Sequence, residues 1–159
     1  MNQSAPMSDT HAIVVDEVFP HTPETIWKAL TTGVLIARWL GMPTAGFEPV
    51  KGNRFTFQTT PAGVWDGMIH CEVLDVVANE RFVHSWTGGH AGNVGYGSAL
   101  DTVVTWTLSR DGNGTRVHLV HSGFVLPRND TAFQRMGEGW KKVVPRVAAI
   151  AAEQMSKPH

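Results

Sequence analysis

Apolar residues in the last part of the chain fall three and four apart: Phe133, Met136, Trp140, Val143, Val147 and Ile150. That spacing predicts an amphipathic helix over 131–155 with its apolar stripe buried against the rest of the fold. Thr131 and Gln134 stand at capping-box spacing at its start, with Asp130 as a competing cap. Gly137 and Gly139 each weaken the first turns by about 0.8–1 kcal/mol relative to Ala. Another backbone is therefore expected to approach closely there, or the front of the helix to breathe. Pro145 lacks a main-chain donor and predicts a kink. Such a helix is either a gate or simply an imperfect packing element.

The chain before it reads mostly as strands. Residues 11–19 predict a first strand with Ile13, Val15 and Val18 inward. Thr22, Pro23 and Glu24 open a short helix over 23–31 that buries Ile26, Trp27 and Leu30. Gly33 breaks it, and a second short helix over 34–40 carries Leu35, Trp39 and Leu40 before Gly41 and Pro43. Strands follow at 54–60, with Phe55 and Phe57 on one face, and at 68–77, with Ile69, Cys71 and Val73 opposite His70 and Glu72. Alternation slips over 74–77, which predicts a bulge. Phe82, His84 and Trp86 share a face of the next strand. Val104, Trp106 and Leu108 do so over 100–110, and Val117, Leu119 and His121 over 115–122. Tight turns at Ala78-Asn79-Glu80 and Asp111-Gly112-Asn113-Gly114 make the neighbours hairpins, so the sheet is antiparallel.

Composition narrows the function classes. At 159 residues the chain fits one domain over 11–155, preceded by a disordered tail over 1–10. Thirteen basic residues against fourteen acidic give a net charge of −1, which offers nothing to nucleic acid or to an anionic membrane. No basic n-region with an apolar run opens the chain, and the expected location is cytoplasmic. The single Cys71 excludes an internal disulfide, and its strand setting reads as an inert buried thiol. Six Trp and seven Phe against one Tyr make the aromatic set strongly apolar, suited to a core or a pocket.

Five glycines lie between Gly88 and Gly97, but strands flank them and no helix N-terminus follows. The segment reads as a mobile hairpin loop, not a phosphate cradle. His118 and His121, three apart on a strand, face opposite sides and cannot chelate one ion together. No Cys-x-x-Cys or His-Glu-x-x-His spacing occurs, and no metal or cofactor is expected. Ser85, Ser98 and Ser122 lack the elbow of a hydrolase nucleophile. No catalytic residue is assigned, which weighs against an enzyme.

Thr25-Ile26-Trp27-Lys28-Ala29-Leu30-Thr31 with Trp39, Val73-Leu74-Asp75-Val76, Glu80-Arg81-Phe82-Val83-His84-Ser85-Trp86, Gly114-Thr115-Arg116-Val117, His121-Ser122-Gly123-Phe124 and Gly139-Trp140 stand in an order that resembles one family. It is the START-like helix-grip (SRPBCC, pollen-allergen-like) superfamily. Within it, the resemblance is to the group of homologues of the activator of heat-shock-protein-90 ATPase and the calicheamicin-resistance protein, and it spans about Val14 to Ala152. It implies an α+β fold, in which a curved antiparallel sheet of six to seven strands grips a long C-terminal helix, with two short helices after the first strand. A cavity between helix and sheet is implied too.

In that cavity His84 and His121, by strand phase, would be the few polar groups orienting an apolar ligand, or a general acid–base. Trp86, Trp106 and Trp140 would line it with Phe57, Phe82, Phe124 and Met136. Binding of a small hydrophobic molecule is the leading reading. Family members that dock on a chaperone make a chaperone the alternative partner, with a role in stress response, although those activators carry a further N-terminal domain. A cyclase- or hydrolase-type enzyme using the same cavity comes third. The chain is expected to be a monomer or a homodimer.

Overall fold

The computed structural model describes residues 10–156. The tail expected over 1–9 lies outside them, and Thr10, counted with it, opens the first strand. The elements run β1 (Thr10–Phe19), α1 (Pro23–Leu30), α2 (Gly33–Leu40), β2 (Thr44–Ala45), β3 (Arg54–Gln58), β4 (Met68–Val77), β5 (Arg81–Gly88), β6 (Leu100–Asp111), β7 (Gly114–Val125) and α3 (Asp130–Ser156). Among the described residues seven strands form one antiparallel sheet in the order β1-β7-β6-β5-β4-β3-β2. The hairpin-by-hairpin sequence gives this order directly. The one long crossover, from β1 through the two short helices, puts β1 beside the last strand. The result is the expected helix-grip arrangement.

One face of the sheet is apolar. Phe55, Phe57, Ile69, Cys71, Val73, Phe82, Trp86, Val104, Trp106, Leu108, Val117 and Leu119 are all buried on it. Period-two alternation predicts that face along most strands, and two interruptions follow its logic. Val73 pairs with His84 and Asp75 with Val83, so Leu74 is the extra residue of a bulge where the alternation slips. Opposite β1, His11 pairs with Phe124 and Ala12 with Ser122, which makes Gly123 the extra residue. Its φ of 105° suits a glycine, and the strand continues through it to Val125 instead of ending at Ser122. In β1 strict alternation carries Val18 outward at 54% exposed, and Phe19 packs on the core instead.

Helix α3 closes the apolar face. Its rear half buries Val143, Val144, Val147, Ala148, Ile150 and Ala151, and the helix as a whole meets α1, α2 and β1. The chain remains helical through Pro145. The helix begins two residues earlier than a cap at Thr131 predicts, with Asp130 as its first residue. The carbonyl of Asn129 accepts the first helical bond from the Phe133 amide at 2.8 Å, so Thr131 lies inside the first turn. Asn129, 1% exposed, turns its side chain toward the sheet. Its Oδ1 accepts from the Val125 amide, and its Nδ2 donates to Ser98 Oγ and to the Ala99 carbonyl.

The expected close approach at Gly137 and Gly139 is absent: a Cβ added at either would meet no heavy atom within 4 Å. At the other end of the helix, Arg38 of α2 grips Glu153 with two bonds of 2.8 and 3.0 Å.

Candidate functional site

Trp140 on α3 and Trp86 on β5 stand against one another, ring centroids 6.1 Å apart. A buried polar chain ties the Trp140 indole to the main chain of Trp86. Trp140 Nε1–H donates to His121 Nδ1 at 3.0 Å, which leaves the other imidazole nitrogen to carry the proton. His121 Nε2–H then donates to Thr102 Oγ1 at 2.8 Å, and the Thr102 hydroxyl donates to the Trp86 carbonyl at 2.8 Å. Four residues on one helix and three strands are thus joined, each bond using the only donor available. The imidazole must stay neutral for this. Burial, with the charge of neighbouring His84 as a lesser cause, pushes the His121 pKa down to about 3.

His84 is likewise buried. Its Nδ1–H donates to the Ser85 carbonyl at 2.8 Å, and burial lowers its pKa to about 4. Both histidines are therefore neutral near pH 7, as buried groups without counter-charges are. That state suits a structural part better than an acid–base poised near neutrality.

In front of the two tryptophans lies a cavity of about 240 Å³. The front of α3 gives it Ala132, Met136, Gly139 and Trp140. The sheet gives Ile69, Trp86 and Leu100, and the loops around β2, β3 and β6 give Met42, Trp65 and Tyr96. The lining is overwhelmingly apolar. Gly139 leaves the space beneath the helix open, because no atom occupies the place where its Cβ would be.

Two loops roof the mouth and are cross-linked. Asn93 Nδ2 donates to the Ala62 and Gly97 carbonyls, Tyr96 O–H donates to the Thr60 carbonyl at 2.6 Å, and Trp65 Nε1–H donates to the Met68 carbonyl. Gly97, at φ 88°, has room for no Cβ, since one would sit 2.9 Å from Ala62. The glycine-rich segment is thus the loop that lets this aromatic roof come close, with strands on either side of it as expected.

Of the residues assigned to the site from sequence, Trp86, Met136 and Trp140 line the cavity. Phe57, Phe82 and His84 form a packed aromatic cluster beside it with Phe55, with centroids 5.2 to 6.2 Å apart. Trp106 lies edge-on to Trp39 and Trp140, and Phe124 rests on His121 at 4.7 Å. These residues back the wall from behind. Sequence reasoning missed Trp65, Tyr96, Arg135 and Gly139. Two of them had a readable signal: Arg135 and Gly139 continue the stripe of Met136 and Trp140 around the helix.

Among the described residues no cluster of three metal-binding side chains occurs, and no helix is long and apolar enough to cross a membrane. Cys71 is buried, and burial pushes its thiol pKa up.

The model of the family described as activator of Hsp90 ATPase homolog 1-like protein matches residues 20–152. Protein MLL2253 from Mesorhizobium loti is 30% identical, with a TM-score of 0.77 over 92% of this chain and 100% of its own. CalU16 from Micromonospora echinospora is 20% identical, with a TM-score of 0.66 over 92% of this chain and 79% of its own. The Aha1 dimer from Colwellia psychrerythraea is 21% identical, with a TM-score of 0.63 over 87% and 93%. The last two show the fold alone. No curated protein matches the chain.

Proposed function

The chain belongs to the activator of Hsp90 ATPase homolog 1-like family, and on that premise we propose that it binds a small apolar molecule between the front of α3 and the sheet. The observation that carries this reading is the open space at Gly139. Glycine there costs the helix about 0.8–1 kcal/mol against alanine, and no neighbouring backbone needs the room. Gly139 lines the cavity, and a side chain there would take up part of it. The Trp140 indole in the cavity wall is held by His121 and, through Thr102, tied to the main chain of Trp86, and a preformed apolar pocket binds without first ordering itself.

Size limits the ligand. An engineered apolar cavity of ~150 Å³ holds benzene, and drug-sized ligands occupy ~300–1,000 Å³. At about 240 Å³ the pocket takes one or two fused rings, or a medium-length chain, with any remainder of the molecule outside. Binding by burial is the whole of the mechanism: Trp86, Trp140, Ile69, Met136 and Leu100 remove apolar surface from water.

The test is a titration with 2-naphthamide followed by amide and indole NMR. Saturable shifts are expected at the Gly139 amide and the Trp86 and Trp140 indoles. Absence of saturation, or shifts confined to the outer face of the sheet, refutes the reading. The chaperone alternative draws on the family's description, and stimulation of an Hsp90 ATPase by the purified chain would favour it.

A further inference from the structure

The pocket's charge is as one-sided as its lining. Among the described residues that line it, Arg135 is the one charged side chain, and no carboxylate faces the space. Arg135 is exposed at the mouth, its guanidinium over the Tyr96 ring at 5.4 Å from the centroid. That ring is itself anchored by the Tyr96 hydroxyl on the Thr60 carbonyl, so the cation is placed by stacking on a fixed platform. Five other arginines contact acids: Arg38 Glu153, Arg54 Glu72, Arg81 Asp75, Arg110 Glu24 and Arg116 Asp16. Arg135 contacts none among the described residues. Its nearest acidic neighbour on the helix, Glu138, points to Lys141 at 3.9 Å.

The buried Ser98 on the wall adds a second donor. Its Oγ accepts from Asn129 Nδ2, and its own proton has no acceptor among the described residues.

An apolar chamber with one uncommitted planar cation at its opening and no carboxylate in its lining is complementary to an amphipathic anion. We infer that the ligand is a small carboxylic acid, bound as the carboxylate: a one- or two-ring or medium-chain body beneath Gly139, its carboxylate paired with the Arg135 guanidinium. This rests on the pocket reading above and adds the ligand's charge to it. A guanidinium fits a carboxylate with two parallel N–H bonds, and at an exposed rim such a pair is worth about 1 kcal/mol or less, which is at most about fivefold in affinity.

Isothermal titration of the full chain with 2-naphthoate and its neutral isostere 2-naphthamide separates the two claims. Naphthoate is expected to bind about fivefold more tightly at about 0.05 M salt, with the gap narrowing at about 0.5 M as the pair is screened. Arg135→Gln, which removes the charge at the mouth, is expected to bring the acid-to-amide ratio to about one. Equal or tighter binding of the amide by the unaltered chain overturns the carboxylate and leaves the pocket standing. A preference for the acid that survives in Arg135→Gln overturns the pairing with Arg135, which the inference requires. Failure of both compounds to bind overturns the pocket itself, and this inference with it.

Discussion

Replacing Gly139 with leucine sets two effects of one residue against each other. Helix propensity favours the change by about 0.5–1 kcal/mol, and the new side chain points into space where no heavy atom lies within 4 Å of its Cβ. For a chain of this length, 1 kcal/mol corresponds to roughly 2–4 °C in Tm, so the variant is expected to melt a few degrees higher. Each added carbon takes roughly the ~30 Å³ of a water molecule. Four of them fill on the order of half of the approximately 240 Å³ cavity. Affinity for 2-naphthamide is therefore expected to fall at least about tenfold, which is about 1.4 kcal/mol. Gly137→Leu is the internal control, because Gly137 has the same free space but does not line the cavity. It gains a similar increment in Tm and keeps its affinity. Calorimetry on both variants with titrations on each decides the matter. A Gly139→Leu protein that melts lower shows that the glycine serves close packing. One that binds as the unaltered chain does shows that the ligand lies elsewhere.

Trp140→Phe removes the donor to His121 Nδ1 and leaves a buried acceptor unpaired, at a cost of about 1–3 kcal/mol; thermal melting should drop by several degrees, and an unchanged Tm refutes the polar chain as a structural tie. Asn129→Ala deletes three hydrogen bonds that fasten the start of α3 to β7 and the loop before β6, at roughly 1 kcal/mol each. Hydrogen exchange over 130–137 should speed up more than over 143–151, and uniform acceleration contradicts the local role. Acid should destabilise the fold well before its carboxylates titrate. Folded-state pKa values of about 4 and about 3 for His84 and His121 lie below the ordinary value of 6.5. The unfolded chain therefore takes up protons first, and stability falls as pH drops below about 6.5, by up to about 1.4 kcal/mol per pH unit for each histidine until the folded pKa is reached. Denaturant midpoints that are flat between pH 7 and 5 would contradict that burial.

Much of this fold is legible because period-two alternation in a one-faced sheet leaves little choice. Phe82, His84 and Trp86 are inward because each second residue must be, and even the bulge at Leu74 announces itself as a break in the pattern. Helix α3 is legible for the same reason at period 3.6. The site is less legible, because facing inward does not distinguish a wall from the packing behind it. Trp86 and Trp106 both face inward at 2% or less exposure, yet one borders the cavity and the other lies beneath Trp39 and Trp140. Phase is local, and the distinction depends on what the helix fails to fill.

Gly139 carries that distinction, and its sequence signal was ambiguous in sign. A glycine in a helix permits either intimacy with a neighbour or a void, and only the tertiary distances separate the two. Two further residues were masked by stronger local rules. Thr131 and Gln134 make a good capping box on paper, but Asn129 two residues earlier can be held by the Val125 amide and by Ser98, so tertiary bonds choose the cap. Arg135 reads as an ordinary solvated charge until Tyr96, from a loop thirty-nine positions away, is seen beneath it. In each case what was missing is a long-range partner. The same partners make the reading testable: if the void at Gly139 and the cation at Arg135 form one site, filling the first must abolish the acid preference that the second creates. Gly139→Leu should then lose naphthoate and naphthamide together, whereas Arg135→Gln should lose only the difference between them. A Gly139→Leu protein that still prefers the acid would place Arg135 at a separate surface site and break the link on which the ligand's description depends.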